Sequence, residues 1–178
     1  ADVMSNAPLF IDDNSLLTIH QFRTKMRKIK AKHPESGLAV IDYLQLMSSA
    51  DGKKDRHQEV SEISRGLKMI ARELEIPIIA LSQLNRSLES RSDRRPMLSD
   101  LRESGSIEQD ADIILFVYRD AVYKQKDEKE KEEAAKKEGK EYKSNFIPKN
   151  EEEAEIIIGK QRNGPTGTIK LAWQAEYT

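Results

Sequence analysis

Residues 38–43 read Leu38-Ala39-Val40-Ile41-Asp42-Tyr43, and this stretch decides the fold. Four apolar residues with no polar interruption predict a short strand buried on both faces of a sheet. The run stops at a carboxylate, which puts Asp42 at the carboxyl edge of that strand. Open α/β sheets bind their ligands at that edge. An aspartate there suits the water shell of a Mg²⁺ ion bridging nucleotide phosphates.

Working outward, residues 77–81 form a second apolar run, followed by Ser82-Gln83-Leu84-Asn85-Arg86. A glutamine at the same edge suits sensing a γ-phosphate or orienting an attacking water. Further apolar runs at 7–11, 112–118, 154–158 and 168–173 complete six predicted strands. The middle four are rich in Ile and Val and are expected to be buried on both faces. Between the first three lie two helical patterns. One starts at Thr18, where Thr18 and Gln21 make a capping box ahead of Phe22, Met26 and Ile29. The other spans about residues 57–75, with Val60, Ile63, Leu67, Ile70, Ala71 and Leu74 on one stripe. This alternation predicts an α/β fold with a mostly parallel sheet. The last two strands flank Asn163-Gly164-Pro165-Thr166-Gly167, a turn that predicts a C-terminal antiparallel hairpin.

The 178 residues are 37% hydrophobic and 34% charged, with mean hydropathy -0.71. Much of the polarity sits in residues 124–143, which hold eight lysines and seven acids and no core-forming stripe. Together with the following stretch to about residue 153, this predicts a charged insertion, helical or partly disordered, in an otherwise ordinary domain. The formal charge of -1 gives no bulk nucleic-acid signal, so such contacts must come from local loops. The absence of cysteine rules out disulfides, thiol catalysis and thiolate metal sites. No apolar run approaches the roughly 18–20 residues of a membrane span, and the expectation is a soluble, cytoplasmic protein. His20, His33 and His57 are scattered without metal spacing.

Two further stretches carry cations. Arg86, Arg91, Arg94 and Arg95 precede Ser99-Asp100-Leu101-Arg102-Glu103-Ser104-Gly105-Ser106, a loop whose donors suit a phosphate backbone. Strand 154–158 runs into Gly159-Lys160-Gln161-Arg162-Asn163-Gly164, and alternation puts Lys160 and Arg162 on one face. Two such cations beside a turn suit a phosphate held by a neighbouring subunit, the arginine-finger role. Read singly, each feature also fits a plainer part: a strand-capping amide, a solvated loop, an exposed basic pair. There is no G-x-x-x-x-G-K-[ST] stretch in the chain, and Tyr43 stands where many ATPases carry a catalytic glutamate.

Taken together, four blocks resemble the hexameric replicative DNA helicases of bacteria, the DnaB type. They are Ile41-Asp42-Tyr43-Leu44-Gln45-Leu46-Met47, residues 81–89 from Leu81-Ser82-Gln83, residues 99–112 around Leu101-Arg102-Glu103-Ser104-Gly105, and Gly159-Lys160-Gln161-Arg162-Asn163-Gly164-Pro165. The resemblance runs from Pro8 to Trp173 apart from the charged insertion. It implies a partial RecA-like P-loop ATPase core over residues 1–178, lacking the P-loop strand and helix and the catalytic glutamate. It implies ATP and Mg²⁺ as cofactors, with Asp42 acting on Mg²⁺ through water, and Gln83 coupling nucleotide state to the DNA loops. Arg102, Glu103 and Gly105, with Arg86, then contact single-stranded DNA. Lys160 and Arg162 reach the γ-phosphate across the interface of a homohexameric ring. Primase and a helicase loader are the implied partners. The chain alone is expected to be inactive. The competing readings are a naturally short, non-catalytic relative that binds helicase subunits or DNA and regulates them, and a different RecA-like motor.

Overall fold

The computed structural model describes residues 7–14, 17–48, 55–144, 146–147 and 149–177, without the side chains of residues 102–105. The contacts divide the chain into two compact units, Ala1–Gln83 and Leu84–Thr178.

In the first unit, α1 (Ile19–Lys32) starts where the capping box predicts it. The Gln21 N–H donates to Thr18 Oγ1 at 3.2 Å, and the Thr18 N–H donates back to Gln21 Oε1 at 2.9 Å. Its buried residues are Ile19, Phe22 and Met26. Helix α2 (Arg56–Leu74) buries Val60, Ile63, Ser64, Leu67 and Ile70, most of the predicted stripe. Full burial of each large aliphatic contributes about 1.5–3 kcal/mol. Strands β1 (Ala39–Ile41) and β2 (Ile78–Ala80) pair in parallel, with Ala39 opposite Ile78 and Ile41 opposite Ala80. The predicted strand at residues 7–11 does not form. That segment finds no pairing partner among the described residues, and Leu9, Phe10 and Ile11 stay exposed.

In the second unit, β3 (Ile113–Tyr118), β4 (Glu151–Gln161) and β5 (Gly167–Gln174) form an antiparallel sheet in that order. The predicted hairpin is β4–β5, and β3 joins it antiparallel. A bulge falls at Gly159, because Ile114 pairs with Lys160 while Leu115 pairs with Ile158. One face of β3 packs inward: Ile114 and Phe116 join Leu101 in a core, flanked by Leu84, Leu98, Ala111 and Ile157. On the other face Ile113, Leu115 and Val117 are exposed, as are Leu38, Val40 and Ile79 in the first unit. Burial on both faces, expected from the continuous apolar runs, is therefore not reached within residues 1–178.

Two helices complete the second unit. The short α3 (Gly105–Asp110) directly follows a 3₁₀ segment, Leu98–Ser104, and the longer α4 (Asp120–Lys137) opens the charged insertion. Helix α4 has no buried residue, as its charge pattern predicts. The far boundary differs from expectation: Glu151, Glu152 and Glu153 open β4 rather than ending the insertion. Glu152 accepts from Arg119 at 3.0 Å, and the Arg119 guanidinium lies 4.2 Å from the centre of the Trp173 ring.

Candidate functional site

Asp42 directly follows β1 and is exposed at its carboxyl end. The parallel register carries the end of β2 to the same edge, and the pairing continues past both strands. The Leu81 N–H donates to the Ile41 carbonyl at 2.9 Å, and the Leu44 N–H donates to the Leu81 carbonyl at 2.8 Å. Gln83 lies just beyond, with its side chain exposed. Asp42 and Gln83 thus stand at one strand edge, as the two apolar runs predict. Asp42 is exposed, and among the described residues the ion pairs do not include it. An exposed carboxylate at this edge fits Mg²⁺ bound through water.

Gln45 is the residue that sequence reasoning missed. It sits on a 3₁₀ turn, Leu44–Leu46, immediately after Asp42 and Tyr43. Its Oε1 accepts from the Gln83 N–H at 3.2 Å, and its Nε2 donates to the Gln83 carbonyl at 3.2 Å and to Ser82 Oγ at 3.0 Å. Nothing local announces this contact, since the partner is 38 residues away in the chain.

In the second unit, Lys160 and Arg162 meet at the C-terminus of α3. Lys160 Nζ donates to the carbonyls of Glu108 and Gln109, the latter at 3.4 Å, and Arg162 also donates to the Gln109 carbonyl. Cations at a helix C-terminus complement its exposed carbonyls. Arg162 further pairs with Asp112 at 3.4 Å. The backbones of Arg102 and Glu103 lie in the 3₁₀ segment before α3, and Gly105 is the first residue of α3. The side chains of Arg102 and Glu103 lie outside the described residues.

The four loop arginines divide. Arg86 is exposed at the start of a 3₁₀ turn, Arg86–Ser90. The other three are engaged internally, which departs from a loop of free donors. Arg91 grips buried Asp100 through two bonds, at 2.8 and 3.1 Å. Arg94 donates to both oxygens of Asp127 on α4 at 2.8 Å and lies over the Tyr123 ring. Arg95 makes a bidentate pair with Glu155 at 2.7 and 2.9 Å and lies over the Tyr118 ring. The Arg95 guanidinium holds the Glu155 carboxyl below the usual carboxylate range. Burial, with a hydrogen bond to Asp120 adding to it, pushes the Tyr118 hydroxyl up to about 12. A signal for Glu155 did exist: a lone acid within the apolar run 154–158 needs a cation once the strand is buried.

Comparison with known proteins settles the family. All of residues 1–178 match the family described as DnaB-like helicase C terminal domain. The chain belongs to this family. It is 51% identical over 190 residues to the replicative DNA helicase DnaB of Helicobacter pylori, covering 99% of this chain and 39% of that protein. It is 52% identical over 177 residues to the DnaB of Geobacillus stearothermophilus, covering 98% and 34%. Among solved structures, an ATPase domain matches with a TM-score of 0.80 at 43% identity, over 98% of this chain and 54% of that one. A DnaB-like replicative helicase whose structure was described with its interactions with primase matches with a TM-score of 0.79 at 43% identity, over 98% and 38%. The chain therefore spans about a third to two-fifths of these curated relatives. The RecA-like α/β expectation agrees with these neighbours. Among the described residues no helix is long and apolar enough to cross a membrane.

Proposed function

We propose that residues 1–178 are part of the motor of an ATP-dependent replicative DNA helicase. The whole protein assembles as a homohexameric ring in the cytoplasm, translocates on single-stranded DNA and unwinds duplex at the replication fork, with primase and a helicase loader as partners. The observation that carries this reading is the shared edge of β1 and β2, where Asp42 and Gln83 stand together in a DnaB-family chain.

Each residue then has a physical task. Asp42 holds the water shell of Mg²⁺, and the ion, when bound, neutralises charge on the ATP phosphates. Gln83 relays the state of the nucleotide to the segment that follows it. Lys160 and Arg162 present their cations to a phosphate held by the neighbouring subunit. Arg102, Glu103 and Gly105, with Arg86, contact the DNA backbone, which makes binding salt-dependent and indifferent to sequence. Residues 1–178 contain no glycine-rich phosphate loop, so we assign that loop and the catalytic base to the rest of the protein.

The test is ATP hydrolysis and unwinding of a forked duplex by the full-length protein. Mg²⁺-dependent hydrolysis stimulated by single-stranded DNA, with unwinding lost in Asp42→Asn, is the expected result. Binding to helicase subunits or DNA without any hydrolysis would replace the motor by a regulator. Residues 1–178 expressed alone should hydrolyse no ATP.

A further inference from the structure

We infer that Gln45 is a positioning residue for Gln83, joining the Asp42 loop to the Gln83 loop. The inference rests on the reading of Gln83 as the relay of nucleotide state. Strand β2 ends at Ala80, and the last main-chain bonds toward β1 are those of Leu81. Gln83 lies beyond them, so the strand ladder does not fix its backbone. The Gln45 carboxamide does. It meets the N–H and the carbonyl of the same residue, both at 3.2 Å, as a neighbouring strand would. With Oε1 facing an N–H and Nε2 facing a carbonyl and a hydroxyl, one amide orientation satisfies every partner.

Gln45 is itself held. Its carbonyl accepts from the Arg56 guanidinium at 2.6 Å, and Arg56 is ion-paired with Glu59 one turn along α2. The first turn of α2, the turn after Asp42 and the backbone of Gln83 therefore form one connected set within the first unit. A shift of the Asp42 loop is passed to Gln83 through a side chain of fixed length. A glutamine carboxamide supplies that reach with an acceptor and a donor on one planar group. Asparagine is one methylene short, glutamate lacks the donor at neutral pH, and methionine has no donor and only a weak sulfur acceptor. Placement of this kind matters because reacting and sensing groups tolerate displacements of only about 0.5 Å.

The experiment uses the full-length protein and a double-mutant cycle, read by ATP turnover with saturating single-stranded DNA. Gln45→Met keeps length and volume and removes the hydrogen bonds. Its DNA-stimulated kcat is expected to fall about tenfold, the worth of one to two hydrogen bonds, with KM for ATP unchanged. In a Gln83→Ala background the same substitution should do nothing further. Gln45→Asn, should Gln45→Met assemble poorly, keeps the amide but is one methylene short of Gln83, and its stimulated kcat is expected to fall likewise. Full stimulated turnover in Gln45→Met or Gln45→Asn, or additive losses in the double variant, would overturn the inference while leaving the helicase reading intact. Unchanged stimulation in Gln83→Ala alone would instead remove the relay role itself, and the inference with it.

Discussion

Lys160 and Arg162 donate to one and the same atom, the carbonyl oxygen of Gln109. Two cations that the motor reading sends to a neighbour's phosphate are here held on the last turn of α3, the helix that begins at Gly105. Neither contact exhausts its cation, because an ammonium carries three N–H donors and a guanidinium five. In the full-length protein, Arg162→Ala should lower kcat for ATP hydrolysis by about 10³-fold or more, as loss of an arginine finger does. ATP affinity and ring assembly should change little. Equilibrium nucleotide binding beside steady-state turnover checks this, and a loss of binding in an intact ring would count against a role in trans.

Arg102→Ala should weaken binding to single-stranded DNA equally for all sequences. The slope of log affinity against log salt should shrink by about one, the share of a single phosphate contact. Fluorescence anisotropy over a salt series measures it. An unchanged slope together with unchanged DNA-stimulated turnover would take this loop out of the DNA path.

Glu155 is buried and paired with Arg95, which lowers its pKa. A lowered folded-state value means the charged pair stabilises the protein above the usual glutamate range, and that this contribution is lost as pH falls through the lowered pKa. At neutral pH, Glu155→Gln should therefore reduce Tm by about 2–4 °C. The gap between the two proteins should close in acid. Thermal unfolding of both proteins from neutral pH downward tests the sign, and a gap that widens in acid would contradict it.

Gly159 lies at the bulge in β4, and Phe116 covers it. A methyl there would sit 3.1 Å from Cδ2 of Phe116 and closer still to Cε2, with Cδ2 of Leu98 at 3.5 Å. Phe116 is itself buried, so its ring cannot swing clear without disturbing the core. Gly159→Ala should cost about 1–3 kcal/mol of stability, read as a shifted denaturation midpoint. It should also loosen Lys160, the next residue. A neutral effect on stability would show that the ring has room to move.

Features set by near neighbours in the chain were legible in advance. The Thr18–Gln21 cap, the stripe from Val60 to Ile70, the strand ending at Asp42 and the hairpin around Gly164 all follow from spacing. The apolar run at residues 7–11 has the same local pattern and forms no strand, because a strand exists only with a neighbour to pair with. Spacing reports what a segment is suited to, and pairing partners decide whether it is realised.

By itself, then, the amino-acid sequence determined the α/β class, the edge carrying Asp42 and Gln83, and the family. These rest on periodicity and on contiguous motif blocks. Only the tertiary structure decided how the charges are used. Arg95 and Glu155 are 60 residues apart, Arg94 and Asp127 are 33 apart, and Lys160 finds carbonyls 51 and 52 residues back. An arginine in a polar loop looks the same in a sequence whether it meets a carboxylate or a phosphate. Which one it meets depends on where the folded chain brings the opposite charge, and burial makes the internal pairing obligatory for Asp100 and Glu155.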